Sequence, residues 1–152
     1  MREKPVFEPD QLAYCGLYCL GCSFKVAYET QNRAYLLHHQ SHNMQRKELP
    51  LEQLYCGGCK TEQTLCGPCE LRDCAQNQDL ISCADCGDFP CEKIISFGHD
   101  GIPHHQLAYE TLQQISRLGL EPWFDSYLEQ LYCKHCGERL SWYYTCPQHH
   151  DR

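Results

Sequence analysis

Apolar periodicity runs from Ser23 to Leu49 and from Pro103 to Leu131, and the stretch between is punctuated by cysteine. Residues 1–11 are polar, carry Pro5 and Pro9, and read as a lead-in without an apolar signal region. From Ser23 to Leu49 the positions Phe24, Ala27, Tyr28, Ala34, Tyr35 and Leu37 recur at three- and four-residue steps. No Gly or Pro interrupts them before Pro50, so the spacing predicts a helix there. A second helix is expected from Pro103, with Leu107, Leu112, Ile115 and Leu118 on one side, ending at Gly119. A third begins at Pro122 and carries Trp123, Phe124, Tyr127, Leu128 and Leu131 along a stripe that should face inward. Short helices are also expected behind Pro68 and Pro90, the latter capped by Asp88 and ended by Gly98. Leu140 to Tyr144 reads as a short strand hairpin.

The hydrophobic fraction of 42% overstates the core, because it counts 14 cysteines and 10 tyrosines. A chain with few large aliphatic side chains must offset its conformational entropy with staples. The cysteines are placed to supply them. Eight lie between Cys56 and Cys91: Cys56, Cys59, Cys66, Cys69, Cys74, Cys83, Cys86 and Cys91. Cys66-x-x-Cys69-x4-Cys74 recurs as Cys83-x-x-Cys86-x4-Cys91. Each Cys-x-x-Cys turn aims two sulfurs at one point, half the ligand set of a tetrahedral metal. The repeat suggests equivalent roles for Cys66/Cys69 and Cys83/Cys86, in one shared site. Upstream, Cys15, Cys19 and Cys22 form a Cys-x3-Cys-x2-Cys cluster. That spacing also serves the iron–sulfur site of radical S-adenosylmethionine enzymes, but the parallel-stranded barrel those enzymes need has no counterpart downstream.

The tail holds the sharpest motif. Cys133-x-x-Cys136 and Cys146, followed by His149, have zinc-ribbon spacing, with His150 as an alternative fourth ligand. A closed site of three cysteines and one histidine keeps no position for water, so it is structural rather than catalytic.

Other motifs read more plainly. Cys66-Gly67-Pro68-Cys69 matches the thioredoxin tetrapeptide, but a redox dithiol follows a buried strand and Thr61 to Thr64 is polar. His38, His39 and His42 read as a solvated helix end, although His38 and His42 have chelating i, i+4 spacing. His99, His104 and His105 fall in a surface linker, where His99 and Asp100 form a conceivable ligand or acid/base pair. No Ser/His/Asp set, phosphate-cradling loop or paired-carboxylate motif is present, so no catalytic residue is assigned and an enzyme with an open metal position or reactive thiol stays an alternative.

Without a signal peptide or a membrane-length apolar run, the expected compartment is the reducing cytoplasm, which favours thiolate–metal bonds over disulfides. The formal net charge is −7 with cysteines neutral. Each zinc on four thiolates adds about two further negative charges. Nucleic acid wants a basic face, and Arg46-Lys47 is the only cluster of that sign, so the expected partner is another protein. Oligomeric state is not written in the sequence.

The order Cys-Gly-Leu-Tyr-Cys-x-x-Cys (15–22), Cys-x-Gly-Cys (56–59), Cys-x-x-Cys-x-Leu-Arg-x-Cys (66–74) and Cys-x-x-Cys-x-Asp-Phe-Pro-Cys-Glu-Lys (83–93) resembles the prokaryotic domain of unknown function 3795. The Gly119 to Trp123 turn, the Trp142-Tyr143 pair and the tail resemble members that carry this appendage. The resemblance spans roughly residues 12–149 and implies zinc binding without a defined reaction. His149 departs from it, where a final cysteine is expected.

Taken together, the expected fold is a small metal-stabilised α+β protein of short helices and metal-binding knuckle loops with a C-terminal zinc ribbon. Residues 1–11 lead into a cysteine-rich domain at 12–98. A linker and helical pair (99–131) and the ribbon (132–152) follow. Two or three zinc ions per chain are expected on the 14 cysteines and His149, as a structural or regulatory module. The alternative is an iron–sulfur cluster in the core, an electron carrier or redox sensor with zinc only in the tail, although the ferredoxin run of Cys-x2-Cys-x2-Cys-x3-Cys is not matched.

Overall fold

The structure, a computed structural model, describes residues 3–40 and 44–150. Five α-helices carry it: α1 (Ser23–Thr30), α2 (Glu70–Asn77), α3 (Glu92–Gly98), α4 (Pro103–Leu118) and α5 (Leu120–Leu128). Short 3-10 turns connect them. The expected α+β class is corrected, because the described residues hold no strand and only three isolated antiparallel bridges. Leu140 to Tyr144 closes on itself through the Ser141–Tyr144 bridge, too short to found a ladder. The tail is therefore a knuckle-and-turn unit and not a stranded ribbon.

The helix expected over Ser23–Leu49 also breaks. It ends at Gln31, which takes a left-handed conformation (φ 52°) and returns its N–H to Ala27 and Tyr28 carbonyls. The Asn32 carboxamide then accepts from Ala34 N–H and starts a 3-10 turn, Arg33–Leu36. Asn competes for backbone groups in this way, which apolar periodicity does not register. Arg33 bonds the Lys47 and Leu49 carbonyls at 2.6 and 2.7 Å, folding the segment back on itself. Of the three histidines there, His38 is exposed, His39 is buried, and His42 lies outside the described residues.

Proline marks the later helices with varying precision. Pro103 is the first residue of α4, where its missing N–H costs nothing. α5 starts two residues before Pro122, at Leu120, behind Gly119. α2 and α3 begin after their prolines, with Cys69 and Cys91 at the N-caps. Asp88 does not cap α3. Side-chain capping in this region belongs to Ser82 and Asp85, reciprocally, on the 3-10 turn Cys83–Asp85. α3 does close at Gly98, as expected.

Among the described residues three apolar cores hold the body, beside a smaller cluster of Cys133, Leu140 and Cys146 in the tail. In the first, Leu12 and Tyr18 pack against Ile115 of α4 and Trp123, Phe124, Tyr127 and Leu128 of α5. The Tyr18 ring meets those of Trp123, Phe124 and Tyr127 edge-on at centroid distances of 5.5–5.7 Å. The second joins Phe24, Val26 and Ala27 of α1 to Tyr35, Leu36 and Leu54. The third joins Leu71, Ile94 and Leu112, from α2, α3 and α4, and is bordered by Cys15, Cys69, Cys83 and Cys91. Sulfur thus lies at the seams between helices.

Candidate metal centre

The tail site is built by local turns. After Leu131, a bridge between Tyr132 and Arg139 encloses the first knuckle. Within it Cys133 N–H donates to Glu138 O and Gly137 N–H to Cys133 O, both at 2.8 Å. The knuckle is held to the body by Leu140 N–H on Leu131 O (2.8 Å), by Arg139 Nη2 on Leu20 O (2.8 Å) and by a buried Ser23–Ser141 hydroxyl pair (2.9 Å). A final turn, with His150 N–H on Cys146 O, brings His149 back to the sulfurs.

Cys133, Cys136, Cys146 and His149 then present ligand atoms all within 4.8 Å of one another. Cys136 Sγ lies 3.6 Å from Cys146 Sγ, and His149 Nδ1 lies 3.5 and 3.4 Å from the sulfurs of Cys133 and Cys146. A tetrahedral ion with thiolate bonds of about 2.3 Å and imidazole bonds of about 2.0–2.1 Å requires edges of about 3.8 and 3.5 Å. These three distances match those edges, and all four ligand atoms lie within 4.8 Å of one another. His149 is the nitrogen of the set, and His150 is not part of it. Cys133 and Cys146 are buried, while Cys136 and His149 reach the surface. Burial opposes ionisation of Cys133, but the N–H groups of Cys136 and His135 and the neighbouring thiols outweigh it, holding this thiol below its ordinary range.

The other eleven cysteines are free thiols, as are those of the tail. Among the described residues, only the tail four form a group of three or more Cys, His, Asp or Glu with single-ion spacing. The eleven divide by position. Cys15, Cys19, Cys22, Cys56, Cys59, Cys66 and Cys69 line one half-open cavity of about 940 Å³. Burial pushes all the shifted thiols of this wall up, and the charges of their neighbours add to it: Cys19 through Cys22, Cys56 and Cys59, Cys15 through Cys59, Cys69 and Cys66. Cys22 rises to about 11 by the same causes, with Cys56 and Cys66 as its neighbours. Gly58 adopts φ +99° in the 56–59 loop, and a Cβ there would meet Asp10 O at 2.9 Å and Cys19 Sγ at 3.4 Å.

Cys74, Cys83, Cys86 and Cys91 form a second group. Cys83 is pushed up to about 12 by burial, then by Cys91, Cys74 and Cys86. The Gln78 carboxamide bonds Cys74 Sγ at 3.4 Å and Cys86 Sγ at 3.8 Å. The sequence repeat is not a structural one: Cys74 sits inside α2, whereas its counterpart Cys91 caps α3. Cys83 and Cys86 accordingly neighbour Cys74 and Cys91, while Cys66 neighbours Cys56 and Cys69.

Histidines read as surface groups have structural partners. His104 stacks on Trp142 (5.5 Å, 9°) and its Nδ1 lies 2.9 Å from Tyr143 Oη, docking the tail on α4. Asp100 pairs with His105 at 2.6 Å rather than with His99, whose Nδ1 meets Ile95 O. His39 also lines the cavity, and its Nδ1 is buried without a hydrogen-bond partner. The sequence carried no signal for that position.

A mostly helical, cysteine-rich scaffold with a four-ligand site in its tail is the class defined here. The chain belongs to the family described as protein of unknown function (DUF3795), whose profile matches residues 11–96, more than half of its length. The match is narrower than the resemblance over 12–149: it takes in both groups of core cysteines and stops short of α4, α5 and the tail site. No curated protein and no solved structure matches the chain.

Proposed function

We propose that the tail is a closed structural zinc site and that the protein is a cytoplasmic zinc-stabilised interaction or regulatory module. The supporting observation is ligand saturation. Three sulfurs and one nitrogen already stand within reach of one tetrahedral ion, and with His149 in the fourth position none is left open for water or substrate. Zinc is the ion that three thiolates and an imidazole in this geometry suit best. The net charge of −7 favours a protein partner over nucleic acid. No helix among the described residues is long and apolar enough to cross a membrane.

Thiol alkylation followed by intact mass tests this reading. In the metal-loaded protein Cys133, Cys136 and Cys146 should resist alkylation together and become reactive together when a chelator is added. One of the three reacting rapidly in the loaded protein would show an open, reactive site and favour an enzyme instead.

A further inference from the structure

We propose that the tail metal site works as a clasp on the rest of the chain. Its ion holds the 137–145 loop against the Cys19-x-x-Cys22 turn, and loss of that ion frees the turn and opens the cavity beside it. The clasp deepens the reading of the tail as a metal site and rests on it. It asks nothing of the core cysteines beyond their position.

The contacts converge on one short stretch. Arg139 Nη2 donates to Leu20 O at 2.8 Å, Trp142 N–H donates to Gly21 O at 2.9 Å, and the Ser141 and Ser23 hydroxyls bond at 2.9 Å. Leu20 and Gly21 lie inside the Cys19-x-x-Cys22 turn and Ser23 directly follows it. The three tail residues all lie between Cys136 and Cys146, two ligands of the tail site. The approach is close: a Cβ on Gly21 would meet Trp142 Nε1 at 2.7 Å. The same loop supplies part of the cavity wall, where Trp142 borders the space that Cys19 and Cys22 also line.

The loop has little besides the ion to keep its shape. Residues 132–149 contain no helix or strand, only two isolated bridges. Its apolar cluster is Cys133, Leu140 and Cys146, and two of those three are ligands. A segment with so few buried apolar contacts opens at low cost, so binding of the ion is what orders it. The Ser23–Ser141 pair is buried, and displacing the loop strips the Ser23 hydroxyl of its partner. Turn and loop therefore move together. Cys136 and His149 reach the surface, which puts the point of metal release outside and its effect in the cavity.

The test follows alkylation of Cys22 by peptide mass spectrometry and metal per chain by native mass spectrometry, on full-length protein under reducing conditions. Three forms are compared: wild type, Cys136→Ser, and the Arg139→Met/Ser141→Ala double variant. The first variant removes an exposed ligand; the second breaks the clasp with all four ligands in place. Cys74 and Cys86, bonded by the Gln78 carboxamide, report general unfolding. Cys136→Ser should lose one metal and alkylate at Cys22 on the order of tenfold faster, an ordinary size for coupling between two sites, with Cys74 and Cys86 unchanged. The double variant should keep its metal and show the same gain at Cys22. Metal lost from Cys136→Ser without a gain at Cys22 overturns the clasp and leaves the tail site standing. No metal lost from Cys136→Ser overturns the tail site and the clasp with it. A double variant that keeps its metal and gains nothing overturns the clasp as well. Should Cys74 and Cys86 quicken too, wild type is titrated with chelator instead. Cys22 must then become reactive on the same curve as Cys136, and Cys136 reacting while Cys22 stays silent overturns the clasp.

Discussion

His39 shows how much of this protein is decided one residue at a time. Its ring lies 4.4 Å from that of Phe24, 5.0 Å from Tyr143 and 5.4 Å from His104, joining α1, the tail and α4. Loss of water first, then the charges of Lys47 and Arg46, together lower its pKa from 6.5 to about 4. A histidine whose folded pKa is depressed stabilises the fold above its unfolded value and loses that contribution as pH falls. The window here runs from 6.5 down to about 4, and the contribution at stake is up to about 3 kcal/mol. His39→Phe keeps the ring and removes the titration. Between pH 7 and 4, denaturant midpoints should therefore fall further for wild type than for the variant. Equal losses would mean that His39 is not held neutral. In the sequence this residue looks like its neighbour His38, which is exposed; only the fold separates them.

At the scale of elements, legibility followed the range of the interaction. Proline at a helix start and glycine at its end are local signals; α4 obeys both and α3 the second. The α5 stripe is buried as its periodicity implied. The break at Gln31 and Asn32 turns on side-chain competition for the backbone, which a pattern of apolar steps does not contain. Docking between elements is the least visible. Gly16 holds φ +99° in the turn between Ala13 and Leu17, and a Cβ there would drive into the Ala108 carbonyl and Leu112 of α4. Gly16→Ala should cost about 1–3 kcal/mol, or very roughly 2–12 °C in Tm for a chain of this size. An unchanged Tm would show that the turn does not pack on α4 this closely.

Across the whole molecule the apolar residues divide into small cores, one bordered by Cys15, Cys69, Cys83 and Cys91 and another touched by Cys22, and none is large enough to carry the fold alone. The tail ligands were readable because all four fall within seventeen residues, counted from Cys133 to His149. The cavity was not, because its cysteines are spread from Cys15 to Cys69 and meet only after folding. Metal binding and folding should therefore be one event. The two tryptophans report on it from different places, Trp123 in the aromatic core and Trp142 on the cavity wall beside the tail. The decisive measurement follows metal content and tryptophan fluorescence together through a chelator titration under reducing conditions. Release of metal and loss of the native emission should coincide along one curve. A metal-free chain that keeps its native emission and a cooperative thermal transition would contradict a metal-held fold.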